Sequence, residues 1–277
     1  MSKFKNCKVC SGKVIKVNKT FELVQCENCK LIFSENIFTQ DEFVKVYDNL
    51  YNKNDSAYQR HSKNEFDKIK QGNINVGKNR GALINKNIIK GNCKSVLEIG
   101  SGVGLVGSYV RKNKPSVKYK GVELDKEAFL KSQELGLNTY NGDFTIMQNF
   151  DELFDVIMLW EVIEHLQDLK QFIDLAYAKL NTGGTLILST PNYDKIKNYP
   201  NGKKDFLYQN EPPIHLNFFT KNNLKNVMEA SGFKKCTIRI KKFPYFEKNA
   251  IRLIRNYTKA ILGMYNGPTL YLEAKKI

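Results

Sequence analysis

The chain has 277 residues, 42% of them apolar, enough for one large domain and a small companion around a real hydrophobic core. No stretch reaches the roughly eighteen consecutive apolar residues that a membrane span needs, and the polar N-terminus has no secretory h-region, so a cytoplasmic protein is expected. The formal charge of +16 suits a polyanion such as RNA or a small anionic substrate, but the lysines are scattered from end to end, the pattern of a solvated surface.

Residues 1–34 form the first unit. Cys7-x-x-Cys10 and Cys26-x-x-Cys29 flank a β-like segment at 14–24. Each turn can place two thiolates on one ion, and two turns complete the tetrahedron of a structural Zn2+. So small a piece buries too little surface to fold unaided, and a metal would supply the missing stability. Four cysteines leave no open coordination position for catalysis. Disulfides are the competing reading, disfavoured in a reducing cytoplasm. Cys93 and Cys236 stand alone beside strand-like segments and read as small core residues.

Residues 35–92 read as a helical leader. Phe43, Val46, Tyr47, Leu50 and Tyr51 recur at helical spacing, as do Leu83, Ile84, Ile88 and Ile89. The hydrophilic stretch 52–75 between them reads as a solvated linker, with a lid over the site as the alternative.

From 93 onward strands and helices alternate. Strands are predicted at 95–99, 118–123, 137–141, 154–159 and 185–190, and helices at 103–113, 126–135 and 168–180. This alternation means parallel strands with right-handed crossovers, an α/β sheet whose ligands gather at the carboxyl ends of its strands. The first strand runs straight into Gly100-Ser101-Gly102-Val103-Gly104, a turn in which a ligand can lie against bare backbone. The second ends in Glu123, followed by Leu124 and Asp125; a carboxylate there can accept both hydroxyls of a ribose. A dinucleotide fingerprint from Gly100 would need glycine at 105, where Leu105 stands. The frame Gly102, Gly104, Gly107 starts too far past the strand for a tight turn. The ligand is therefore expected to carry a ribose without a pyrophosphate.

Beyond 190, a loop rich in Pro, Asn and Lys runs through Pro213. With 52–75 it is expected to shape the acceptor pocket. His215-Leu216-Asn217-Phe218-Phe219-Thr220 leads into a helix capped by Thr220 or Asn222 and closed by Gly232. Residues 233–242 alternate like a strand, and 269–277 read as the last one. Between them, 248–262 is an amphipathic basic helix in which Ile251, Leu253, Ile254, Tyr257, Ile261 and Leu262 are interleaved with Arg252, Arg255 and Lys259. Such a helix is expected to pack its stripe on the domain, with peripheral contact to a membrane surface as the alternative.

Taken in order, Leu97-Glu98-Ile99-Gly100-Ser101-Gly102, Gly121-Val122-Glu123, Gly142-Asp143-Phe144, the Phe154–Trp160 run, Glu161-Val162-Ile163-Glu164-His165, Gly183-Gly184-Thr185 and Thr190-Pro191-Asn192 resemble the elements of a class I S-adenosylmethionine-dependent methyltransferase. The cysteine turns, Leu31-Ile32-Phe33, the pattern at 43–51 and 215–220 resemble a zinc-ribbon subgroup of that family. Its members often modify sugars, sugar nucleotides or other small metabolites. Glu161-x-x-Glu164-His165 is also similar to the O-methyltransferases of ubiquinone synthesis. The resemblance implies a Rossmann-like, seven-stranded methyltransferase sheet over 93–277 with helices on both faces, preceded by the ribbon and the leader. It implies S-adenosyl-L-methionine as cofactor. Gly100 and Gly102 would touch its amino-acid part, Glu123 its ribose with Leu124 alongside, Asp143 the adenine amino group and Phe144 a ring face. Leu159 and Trp160 would border the sulfonium methyl.

Methyl transfer is an in-line displacement at an activated sulfonium, so the protein mainly aligns the reactants and keeps water out. A hydroxyl acceptor also needs a general base. His165, just beyond the fourth strand, is the first candidate, and His215, at the end of the variable loop, the second. Glu161, Glu164 and His165 could instead hold a divalent ion that polarises a hydroxyl pair. The leading expectation is O-methylation of a small, anionic acceptor such as a sugar, sugar phosphate or nucleotide-linked sugar. One alternative is a ribosomal RNA methyltransferase with an N-terminal zinc module, against which counts the lack of an Asn-Pro-Pro-Tyr-type motif after the fourth strand. Another is a non-catalytic protein whose ribbon binds a partner, against which count intact Gly100, Glu123 and Asp143.

Overall fold

The computed structural model describes residues 2–47, 57–196, 212–241, 244 and 250–277. The N-terminal strands include β1 (Val14–Asn18), β2 (Leu23–Cys26) and β3 (Ile32–Ser34), beside a two-residue pair of Ser2–Lys3 with Asn36–Ile37; helices α1 (Gln40–Tyr47), α2 (Ala57–Lys70) and α3 (Lys78–Ile84) follow. An alternating series follows: β4 (Ser95–Ile99), α4 (Leu105–Asn113), β5 (Lys118–Glu123), α5 (Lys126–Glu134), β6 (Thr139–Asn141), β7 (Phe154–Trp160), α6 (Leu169–Lys179) and β8 (Leu180–Pro191). Next come β9 (Asn217–Phe218), α7 (Lys221–Ala230), β10 (Lys234–Ile240), α8 (Ala250–Ile261) and β11 (Thr269–Lys275).

One seven-stranded sheet runs in the order β10-β11-β8-β7-β4-β5-β6. The strands from β8 to β6 are parallel, and β11 is antiparallel to both β8 and β10. The last strand is thus inserted into the sheet rather than added at its edge. The pleat sends Leu97, Ile99, Ile157, Leu159, Leu186 and Leu188 to one face, where Phe172 and Ile173 of α6 and Leu224 and Val227 of α7 cover them. Val96, Val156, Met158, Trp160 and Ile187 face the other way, against α3 and against Val106 and Val110 of α4. Helices on both faces are why these strands are near-continuous apolar runs. Of the two proposed caps, Thr220 starts α7: its hydroxyl accepts from Asn223 N at 3.1 Å, and Asn223 Oδ1 accepts from Thr220 N at 2.8 Å.

The cysteine unit is built into this domain. β3 pairs antiparallel with β9, Phe33 opposite Asn217 and Ile32 opposite Phe218, giving a small sheet β9-β3-β2-β1. Val24, Cys26, Leu31 and Phe33 share one buried cluster with Ile157, Phe172 and Leu224.

Two expectations are corrected. Much of 52–75 is the helix α2, whose Phe66 and Ile69 pack with Val103 and Ala128; two apolar residues a turn apart suffice to seat an otherwise polar helix. The apolar stripe of α8 does not pack on the domain: Ile251, Ile254, Ile261 and Leu262 are exposed. Leu50 and Tyr51, 52–56, 197–211, Lys242 and 248–249 lie outside the described residues.

Candidate active site

A cavity of about 630 Å3 opens at the carboxyl ends of β4, β5 and β7, where such a sheet receives its ligands. Gly100, Gly102, Glu123 and Trp160 line it, together with Leu124, Asp143 and Phe144. α1 and α2 add a further wall through Phe43, His61, Ser62 and Glu65. A larger hollow of about 1230 Å3 lies at the opposite, amino ends of the strands, beside Lys94, Lys118 and Asp155; none of the ligand motifs reaches it.

The glycine turn needs its glycines. Gly100 and Gly102 have φ of 71° and 53°, in the left-handed region. A Cβ on Gly100 would lie 2.5 Å from Val162 Cγ2, whereas one on Gly102 would meet nothing within 4 Å, so the space beside Gly102 is open to a ligand. Gly102 N donates to Glu123 Oε2 at 2.6 Å and Asp125 N to Oε1 at 2.9 Å. The carboxylate thereby ties the turn to the end of β5, and each oxygen keeps a lone pair for a further donor. Burial pushes the Glu123 pKa up, and the amide donors oppose that rise. Leu124 beside it is 62% exposed, an apolar surface that lines the cavity.

Asp143 caps the 3-10 turn Phe144–Asn149, Oδ1 accepting from Thr145 N at 2.8 Å, while the side chain stays exposed. Phe144 serves the core and the cavity together, meeting Phe172 edge-on at 5.6 Å. Leu159 is wholly buried in the core and does not line the cavity, contrary to expectation, because the pleat turns it away from Trp160. Trp160 does line it; its Nε1 is buried with no hydrogen-bond partner among the described residues.

After Trp160 the backbone turns sharply at Glu161, a non-glycine residue with φ of 55°. Glu161 opens onto the cavity, and its Oε1 accepts from Ser189 Oγ at 2.6 Å. The protein packed around it still raises its carboxyl pKa. His165 lines the cavity and donates from Nδ1 to Ile214 O at 2.7 Å, which leaves a lone pair on Nε2. Burial lowers its pKa below 6.5, so the ring is neutral at pH 7. His215 stands behind it, ring centroids 4.7 Å apart, buried and held at about 3 by desolvation. The two candidate bases are therefore not equivalent: His165 lines the cavity and His215 supports it.

The set of ligand-type atoms that converges is Glu164, His165 and His215, all within 4.8 Å of one another, and not the expected trio with Glu161. Glu164 is fully buried; Oε2 accepts from Thr190 Oγ1 at 3.0 Å, and Oε1 has no partner among the described residues. Burial, and then the nearby Glu161 charge, push its pKa well up.

A family model described as a methyltransferase domain matches residues 56–238, most of the chain. The chain belongs to the methyltransferase-domain family. The match runs from the amino end of α2 into β10 and contains every cavity-lining residue named above except Phe43. Among relatives, a malonyl-[acyl-carrier protein] O-methyltransferase of Bacillus anthracis is 27% identical over 49% of this chain and 53% of its own. A ubiquinone biosynthesis O-methyltransferase of Coxiella burnetii is 30% identical over 36% of this chain and 44% of its own. The chain thus spans about half the length of the curated relatives it matches. A SAM-dependent methyltransferase from Archaeoglobus fulgidus shares the fold with a TM-score of 0.53 at 17% identity, covering 84% of this chain and 99% of that one.

The cysteine cluster of this chain fits a zinc ion. All four sulfurs lie within 4.8 Å of one another, with Cys7–Cys29 at 3.6 Å and Cys10–Cys26 at 3.4 Å. Four sulfurs at a Zn–S distance of about 2.3 Å stand roughly 3.8 Å apart. Val9 N and Asn28 N donate to Cys7 and Cys26 Sγ, the amide bonds that steady thiolates in such turns. The Cys29 thiol favours a Cys7 thiolate and holds Cys7 at about 5.

Two parts of the site escaped the sequence reading. Arg80 of α3 lies over the Trp160 ring at 5.3 Å, and its charge partly opposes the rise that burial gives the carboxyls of Glu98 and Glu161. A lone arginine in a short helix gives no signal of its own. The pairing of His165 with His215 joins residues far apart in sequence, and no local periodicity reports it.

Proposed function

We propose that the chain is an S-adenosylmethionine-dependent methyltransferase that acts on a hydroxyl of a small, anionic acceptor such as a sugar phosphate or nucleotide-linked sugar. The observation that carries the reading is the Glu123 carboxylate, tied to the glycine turn by Gly102 N and still able to accept from ribose hydroxyls. The residues present fit the cofactor: an open space beside Gly102, an unpaired indole N–H on Trp160 and an apolar lining at Leu124 and Phe144. Asp143 would receive the adenine amino group, and Gly100 with Gly102 would lie along the amino-acid part. The Cys7, Cys10, Cys26 and Cys29 set would hold a structural Zn2+.

The bound cofactor supplies a methyl group already activated on a sulfonium. The protein's work is orientation, exclusion of water and one proton transfer. His165, neutral and lining the cavity, takes the proton from the acceptor hydroxyl through its free Nε2. Ile214 O holds the other ring nitrogen and fixes the tautomer. His215 positions His165 from behind. The O-methyltransferase relatives support an oxygen acceptor, and the +16 charge supports an anionic one.

A second reading has its own observation. The unpaired Glu164 Oε1 converges with His165 and His215, a donor set that suits a divalent cation able to polarise the acceptor hydroxyl. Nε2 of His165 has one lone pair and cannot serve as ligand and base together. Dialysis against a chelator followed by Mg2+ or Mn2+, with zinc content followed separately, distinguishes the two readings.

The test of function is methyl-labelled S-adenosylmethionine with a deproteinised extract split into RNA and small metabolites. Label in small anionic metabolites is the expected result. Label in RNA alone would replace the proposed acceptor with a nucleic acid.

A further inference from the structure

Helix α8 and the turn after it present apolar side chains to solvent. Ile251, Ile254, Ile261, Leu262 and Met264 are 65–82% exposed. Single exposed apolar residues are ordinary, but a row of them on one element marks an interaction site. At about 100° per residue, the three isoleucines share one side of the helix. Buried Asn256 marks the opposite side, the one seated on the domain. Arg255 and Lys259, both exposed, run along one flank of the apolar row.

The orientation is fixed by the segment that follows. Asn192, just past β8, donates from Nδ2 to Asn266 Oδ1 at 2.8 Å and to Gly267 O at 2.9 Å. Its backbone N donates to Pro268 O at 2.7 Å. The segment after α8 is thereby anchored to the carboxyl end of β8, and the apolar row of the helix faces solvent.

We propose that α8 docks the protein on an anionic phospholipid surface, the helix lying in the interface with its isoleucines at the acyl boundary and Arg255 and Lys259 among the phosphates. An apolar row with a cationic flank is the arrangement that binds such a surface. Charge decides between this occupant and a second copy of the chain. Self-association through α8 would bring Arg255 and Lys259 against their own kind on a protein of charge +16, whereas an anionic bilayer attracts all of them. Among the described residues no helix is long and apolar enough to cross a membrane, so the contact is peripheral. The proposal is independent of methyl transfer, because binding is read without turnover.

The experiment is sedimentation of the full chain with phosphatidylcholine vesicles, with and without phosphatidylglycerol. Binding is expected only to the anionic vesicles, weakening as salt is raised. The double variant Ile254→Ser, Ile261→Ser should weaken it at least about tenfold. The variant Arg255→Gln, Lys259→Gln should weaken it on the order of thirtyfold. All four positions are exposed, so the thermal midpoint should not move in either variant. Failure to bind anionic vesicles, or binding by either variant as tight as that of the wild type, would overturn the proposal. So would a dimer seen by light scattering that the isoleucine variant dissolves, since the row would then be a self-interface.

Discussion

Helices α7 and α8 both set apolar residues three and four apart, yet Leu224, Val227 and Met228 of α7 are wholly buried while Ile251, Ile254 and Ile261 of α8 are exposed. Periodicity reports that a helix has an apolar stripe. It does not report what covers the stripe. α7 is started by a reciprocal cap and lands on the sheet face it was patterned for. α8 follows the edge strand β10, and its apolar side stays in solvent.

The largest effect expected from this contrast is on the side of α7. The cysteine unit shares a core with α7 and closes its small sheet with β9, just before that helix. Chelation should release one zinc per chain and lower the thermal midpoint more than any substitution named below, as followed by circular dichroism and metal analysis. A zinc-free protein with an unchanged midpoint would show that hydrophobic packing alone holds the unit. Next, Leu224→Ala should cost about 2–5 kcal/mol in urea unfolding. A loss under about 1 kcal/mol would mean that the α7 stripe is no better covered than that of α8.

Burial also shifts charge. Glu98, 2% exposed, accepts from Tyr119 Oη at 2.5 Å and is pushed up to about 8 by desolvation. The folded chain therefore keeps a proton that the unfolded chain loses near 4.5, so this stability is present below pH 4.5 and is lost as pH rises through about 8. Glu98→Gln should flatten that part of the pH dependence of the urea midpoint. An unchanged slope would assign it to other groups. The smallest effect belongs to α8: Ile254→Ser in lipid-free buffer should change stability by no more than about 0.5 kcal/mol. A loss comparable with Leu224→Ala would mean that the stripe is covered after all.

The same distinction separates what was legible in the sequence from what was not. Gly100 and Gly102 betray a turn because their left-handed backbone favours glycine, and Glu123 follows at the end of the next strand. The paired cysteines announce a cluster by spacing alone. These are local signals, and they located the sheet, the cavity and the sulfur cluster. Contacts between distant segments left no local trace. Two-residue β9 has no periodicity, so its pairing with β3 could not be read. Among the described residues α2 carries two buried apolar anchors, Phe66 and Ile69, in a polar sequence, and it looked like a linker. Glu161 and His215 exchanged roles in the carboxylate–imidazole cluster because a strained turn after β7 points Glu161 toward Ser189.

The central claim is that the glycine turn and Glu123 form a site for S-adenosylmethionine. Calorimetric titration of the full chain and of Glu123→Ala with S-adenosylhomocysteine tests it directly. The account predicts one site in the wild type, weakened at least about a hundredfold in the variant, as expected for the loss of two hydrogen bonds to a charged acceptor. Equal affinity in the two proteins, with the variant folded by circular dichroism, would contradict it.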